Sequence, residues 1–246
     1  MHATDFEFRH RFWVILAIYA AGFWCYVFDH ETTAVALAAR LAGHPLQFDS
    51  AADRHVLQAV FGVAAVLAIL AALLRTWGAA YLQSEVVHDP NLRAEALVAD
   101  GPYRYVRNPL YLGSLLLAVA FGLLASRIGF VVIVVGQTLL YYRLLRREEA
   151  ALLETQGESY REFLAKVPRL APSLRPRLPS GGAKARWGQA WLGETFMWLF
   201  TVAVAAFAAT LNERVFYALI GLALASSLLA QLRRRTSTAA TEKRAP

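Results

Sequence analysis

The sequence predicts an all-α fold: a polytopic membrane bundle of about six transmembrane helices, with an amphipathic helix on the cytoplasmic side. Three observations predict it. Of 246 residues, 57% are hydrophobic and only 17% charged, whereas a soluble domain carries about a quarter charged residues. Mean hydropathy is +0.39. The apolar residues also gather into runs close to the ~20 residues that a helix needs to cross a bilayer.

In chain order the runs are 11–28, 55–76, 110–125, 128–142, 195–211 and 214–232. Trp13 and Trp24 mark the first run, Trp77 the second and Trp198 the fifth, as interfacial anchors do. The third and fourth runs are short and divided only by Ser126 and Arg127, which predicts a tight helical hairpin. Between the first two runs, Val35 to Leu41 is apolar enough to lie along the interface. So many uniformly apolar runs exclude the buried helices of a soluble protein. None of them contains an acidic residue, which argues against an ion or proton path.

All but Arg40, Arg54, Arg127 and Arg214 of the 25 Lys and Arg fall on one side of this topology. The positive-inside rule then puts both termini in the cytoplasm, and the expected location is a bacterial inner membrane. The net charge of +7 becomes a membrane-surface property, attracting anionic headgroups or substrate, and a nucleic-acid partner is not needed to explain it. Arg233, Arg234 and Arg235 read as the stop signal of the last run. Cys25 is the single cysteine, so no disulfide forms within the chain. The six histidines, at 2, 10, 30, 44, 55 and 88, include no pair at metal-binding helical spacing. No metal is expected.

Two cytoplasmic segments, 77–109 and 143–194, hold nearly all the remaining polarity. In the second, Tyr141, Leu144, Leu145, Glu148, Ala151 and Leu152 fall on one helical face, which sets Glu148 among apolar neighbours with Glu149 beside it. Gly157 breaks the helix. Tyr160, Phe163, Leu164 and Val167 form a second stripe, closed by Pro168. The stretch 171–186 is rich in Pro, Gly and Ser and reads as a linker. The expected organisation is a core over 1–172 whose motifs lie in 75–172, a linker over 173–193, and a C-terminal transmembrane hairpin with a basic tail over 194–246.

The first segment ends in GPYRYVRNPLYLGS, residues 101–114. Asn108-Pro109 starts the third membrane helix, since Asn caps helices and Pro suits the first helical position. That leaves much of the stretch unexplained. A helix N-terminus attracts anions. Arg104 and Arg107 are suited to a carboxylate or phosphate, and Tyr103, Tyr105 and Tyr111 add ring faces and hydroxyls. Together with Glu148 and Glu149 across a pocket, these residues would suit a zwitterion.

GPYRYVRNPLYLGS, followed by a helical hairpin and RREEAALLETQGESYREFLAKVPRLAP, resembles the isoprenylcysteine carboxyl methyltransferase family, grouped with the phospholipid N-methyltransferases. The resemblance covers about 75–172. It implies a helical membrane bundle that binds S-adenosylmethionine at the cytoplasmic face, and the chain contains no Gly-x-Gly of the soluble nucleotide folds. By this resemblance Gly101, Pro102, Tyr103, Asn108, Pro109, Tyr111, Gly113, Glu148, Glu149 and Tyr160 hold the cofactor. Arg107 carries over with them and is placed with Arg104 at the reacting groups, Arg104 steering an anionic acceptor. The chain departs from the family at Asn108, where the carboxyl methyltransferases commonly have His. Asn-Pro-x-Tyr-x-Gly is closer to the phospholipid enzymes.

The implied acceptor is a lipophilic carboxylate, prenylcysteine-like or isoprenoid, entering from the bilayer. A carboxylate is already ionised and needs only positioning, whereas a phospholipid amine, the alternative acceptor, must first lose a proton. A non-catalytic membrane scaffold or lipid-binding protein is the reading from another class. Oligomeric state and the role of 194–232 are left open by the sequence.

Overall fold

A computed structural model describes residues 2–48, 50–82 and 100–226. The described residues fold into helices joined by turns, with one isolated bridge between Thr32 and Ser126 and no strand. Part of the first polar segment (83–99), His88, the end of the last run, the Arg233–Arg235 cluster and the basic tail lie outside the described residues.

Helix α1 (Asp5–Arg9) begins at a capping box in which Thr4 and Glu7 satisfy each other's backbone N–H groups. Helix α2 (Arg11–Trp24) runs on through a 3-10 turn at Cys25–Val27. Helix α3 (Thr33–Ala42) buries Ala34, Ala36 and Ala38 and exposes Leu37 and Leu41, the pattern expected of an interfacial segment. It stops at Gly43, which supplies the left-handed residue that ends many helices.

Helix α4 (Ala51–Leu82) is the axis of the bundle. Its inner face carries Ala64, Ala65, Ala68, Ala71 and Ala72, small side chains that let neighbouring backbones approach closely where lipid gives no hydrophobic drive for helix association. Helix α5 (Pro109–Leu124) packs on one side of it and α8 (Thr195–Thr210) on the other. Phe121 of α5 locks the centre, ringed by Tyr19, Phe23, Phe200 and Phe216. Helix α6 (Arg127–Lys166) turns back from α5 after Ser126, whose hydroxyl accepts from the Gly129 N–H. The expected hairpin is present. At its tip Arg127 pairs with Asp29 and Glu31, holding the turn after α2 to the start of α6.

Helix α7 (Trp187–Gly193) meets α8 at a bend of 63°, and residues 213–226 continue as helix α9. By length and composition, α4 and α6 are each able to cross a membrane, and α7–α8 counts as a third span if the bent pair is one crossing. The runs at 11–28 and 110–125 fold as the shorter apolar helices Arg11–Val27 and Pro109–Leu124. The 32 residues of α4 and the part of α6 before the break at Gly157, 127–156, rise about 48 and 45 Å at 1.5 Å per residue. Both overshoot a hydrocarbon core of ~30 Å and must project into the aqueous layer.

The projecting part of α6 departs from the expected face. Tyr141, Leu144 and Leu145 are buried as predicted, but Ala151 and Leu152 are exposed, and Glu149 is the buried residue that follows. Beyond Glu149 the helix packs less closely, with Leu153 its contact to the cluster that follows. The helix kinks at Gly157, with φ +60°, and Tyr160, Phe163 and Val167 beyond it form a buried cluster against which Leu153 packs.

Candidate functional site

Residues 100–108 cross the end of the bundle that carries both motifs. Gly101 opens a 3-10 turn, Gly101–Arg104, at φ +56°, and a Cβ there would lie 2.3 Å from the Tyr81 ring. Conformation and space therefore both call for glycine. Pro102 is buried, and its carbonyl accepts from the Tyr105 and Val106 N–H groups, while Tyr103 is buried beside it. Pro109 occupies the first helical position of α5, as predicted. Asn108 stands at the cap, but its side chain makes no capping bond. Its amide instead donates to the Arg169 carbonyl at 3.3 Å. The expected cap is replaced by a tie to the end of the second motif, which draws the side chain off the helix start.

Arg107 makes the main junction between the motifs. Its backbone N–H donates to Pro168, its Nε to the Val167 carbonyl, and one terminal nitrogen to Glu149 at 2.9 Å. Arg169 grips both oxygens of Glu149 from the other side, at 2.7 and 3.2 Å. Glu149 is 7% exposed and is thus compensated by two guanidiniums, the geometry a buried carboxylate requires. Glu149 holds the fold of the site together.

Glu148 is different. Tyr111 donates its hydroxyl to it at 2.7 Å, and among the described residues it makes no ion pair. Burial raises its pKa above the ordinary 4.5, and the Tyr111 hydrogen bond and the field of Arg11 counter this only in part. A half-buried carboxylate without a cation is costly, which makes it a ready partner for one. Tyr111 is fixed in turn by edge-on contact with Tyr141, 4.9 Å between centroids. Tyr160 is buried near the two glutamates, its hydroxyl pushed up to about 12 by burial and by the Glu149 charge.

The structure therefore brings Arg107, Asn108, Tyr111, Glu148, Glu149 and Tyr160 together. Gly113 lies apart from them. It faces α4, where a Cβ would lie 2.5 Å from Arg75 Cγ and 2.9 Å from the Ala71 carbonyl. Arg104 is tied to a different segment, its Nε donating to the carbonyl of Leu178 at 2.9 Å, a residue that packs against the Tyr160 cluster.

Several partners went unread in the sequence. Arg169 carried no signal beyond its place after Pro168. The Pro/Gly/Ser-rich stretch was read by composition alone, and it lies along the first motif as a strap. Ser173 N–H donates to the Tyr105 carbonyl and Arg177 N–H to the Arg104 carbonyl. Asp100 then receives the Ser180 hydroxyl and the Gly181 and Ala183 N–H groups at 2.6–2.9 Å. Burial raises the Asp100 pKa, but these donors outweigh it and hold the carboxyl below its ordinary value.

With this geometry described, comparison with known proteins adds one finding. Residues 57–159 match the family model of phospholipid methyltransferases, and that stretch contains the first motif and the second up to Ser159. No curated protein and no solved structure matches the chain. The match and the motif resemblance point to the same group of integral-membrane methyltransferases. Together with its long apolar helices, this identifies the chain as an integral membrane protein.

Proposed function

We propose that this chain, matched over 57–159 by the phospholipid methyltransferase family, uses S-adenosylmethionine to methylate a lipophilic anionic acceptor at the cytoplasmic membrane face. The observation that carries this reading is the contrast between two adjacent glutamates. Glu149 is neutralised by Arg107 and Arg169, whereas Glu148 is left for a cation beside the first turn of α5.

The cofactor fits the residues present. Its amino-acid end is a zwitterion: Glu148 suits the ammonium, and the start of α5, with N–H groups that lack intrahelical partners, suits the carboxylate. When bound, it supplies an electrophilic methyl group on a sulfonium. The chain's own contribution is alignment and exclusion of water, which can lower such a barrier by several kcal/mol, up to roughly 7–11 in favourable cases. Tyr111, Tyr160 and the apolar clusters around them supply the dry walls.

Arg104 is the acceptor's anchor in this reading. Its Nε is held by Leu178, which leaves the terminal nitrogens to grip an anion at the bilayer edge. A lipophilic carboxylate gripped there would itself take the methyl group and become an ester. A phospholipid phosphate gripped there would present its amine for N-methylation, which releases a proton. The family description favours this second acceptor, and the Arg104 anchor serves both.

The test is methyl transfer from labelled S-adenosylmethionine in membranes containing the chain, with a prenylcysteine analogue and native lipids supplied. Label released as methanol by mild base identifies a carboxyl ester. Base-stable label in lipid identifies an N-methylated headgroup. Absence of both label and cofactor binding would overturn the reading in favour of a scaffold.

A further inference from the structure

Helices α7 and α8 lie outside the matched segment, yet one guanidinium ties their junction to the site. Arg75 of α4 donates from Nε and one terminal nitrogen to both oxygens of Glu194, at 2.7 and 2.9 Å. Its other terminal nitrogen donates to the Leu110 carbonyl at 3.1 Å and to the Ser114 hydroxyl at 2.7 Å, both near the start of α5. The side chains of Arg75 and Glu194 are only 16% and 8% exposed. Gly113 sits against the Arg75 stem with no room for a side chain. Leu110 and Ser114 flank Tyr111 on α5, and Tyr141 of α6 holds the ring of Tyr111 edge-on.

We infer that Glu194 is a positioning residue for methyl transfer: through Arg75 it sets the first turn of α5, and with it Tyr111 against Glu148. The inference rests on the proposed role of Glu148 toward the cofactor. The arrangement needs both partners. A lone Arg75 in this apolar setting would be an uncompensated buried charge, so Glu194 keeps the guanidinium where it reaches Leu110 and Ser114. The C-terminal helices are then a working part of the site.

The test uses the full-length chain in detergent, as wild type, Glu194→Gln, Ser114→Ala and the double variant Arg75→Met/Glu194→Met. Replacing a buried ion pair by apolar residues often preserves stability, so the double variant separates positioning from folding. It is expected to melt near the wild-type temperature, to exchange backbone amides 110–114 faster while α8 stays protected, and to bind S-adenosylmethionine roughly tenfold more weakly, as a small misplacement at a distance permits. Ser114→Ala leaves the ion pair intact and should shift exchange and binding the same way but less. It carries the test if the double variant does not fold. Unchanged exchange at 110–114 overturns the inference whatever the cofactor does, and so does faster exchange with unchanged affinity. A wild-type chain that binds no cofactor counts instead against the proposed function, and the exchange data still decide whether the tether exists.

Discussion

Glu148 and Glu149 are chemically identical neighbours with opposite situations, and the difference comes from what reaches each one. The α6 periodicity placed Glu148 on the apolar face, and it lies there. The sequence held no signal that Glu149 would meet Arg107 and Arg169, because those contacts span 42 and 20 residues and follow no local period. The different burial has a pH consequence. A carboxyl whose folded pKa is raised favours the folded state fully below its unfolded value and loses that contribution as pH rises through the folded value. For Glu148 the window opens near 4.5 and extends upward. Glu148→Gln is therefore expected to melt at or above the wild-type temperature at pH 7, the difference fading towards pH 4. Cofactor affinity should run the other way: it should tighten with pH in the wild type as Glu148 ionises, and be weaker and flat in Glu148→Gln. Calorimetric titration across this range checks both, and a parallel pH slope in the variant would remove Glu148 from the cofactor.

Among the elements, the regular ones were readable and the strap was not. Pro109 at the first turn of α5, the break at Gly157 and the stripe at 160–167 each depend on near neighbours in sequence, so residue type and spacing reveal them. The strap depends on backbone groups some 70 to 80 residues away, at Arg104, Tyr105 and Asp100, and its composition alone reads as a connector. Asp100 holds its far end. In Asp100→Asn one acceptor oxygen becomes an N–H₂ group facing N–H donors, and leaving buried donors unmet costs about 1–3 kcal/mol. The expected result is faster tryptic cleavage after Arg177 and Lys184, with α4 and α5 still resistant. Because the Asp100 carboxyl is held below its ordinary value, its contribution is present above that value and lost only as pH falls through the lowered one. The strap should therefore stay closed at neutral pH. Equal cleavage of variant and wild type would show that the backbone pairs suffice without Asp100.

At the scale of the whole molecule, charge and length make a joint demand. The basic residues crowd at one end of the bundle, where α4 and α6 both outrun the membrane and the two motifs meet. The apolar runs showed where the chain enters lipid, but the number of crossings depends on tilt, bend and helix ends, which composition does not encode. This is why α5 folds with only 16 residues and α7 bends into α8. If the basic end is cytoplasmic, a water-soluble donor reaches Glu148 from inside the cell while the acceptor stays in the bilayer, and the outer latch of Asp29 and Arg127 faces away. Cys25 is the single cysteine, so Cys25→Ser provides a clean background for labelling. In that background Glu154→Cys, on the exposed extension of α6, should react with a membrane-impermeant maleimide only in inverted vesicles. His44→Cys, in the exposed turn after α3, should react only in right-side-out ones. The reverse pattern would put the motifs outside the cell, beyond the reach of a cytoplasmic methyl donor, and the charge asymmetry would then have some purpose other than orientation.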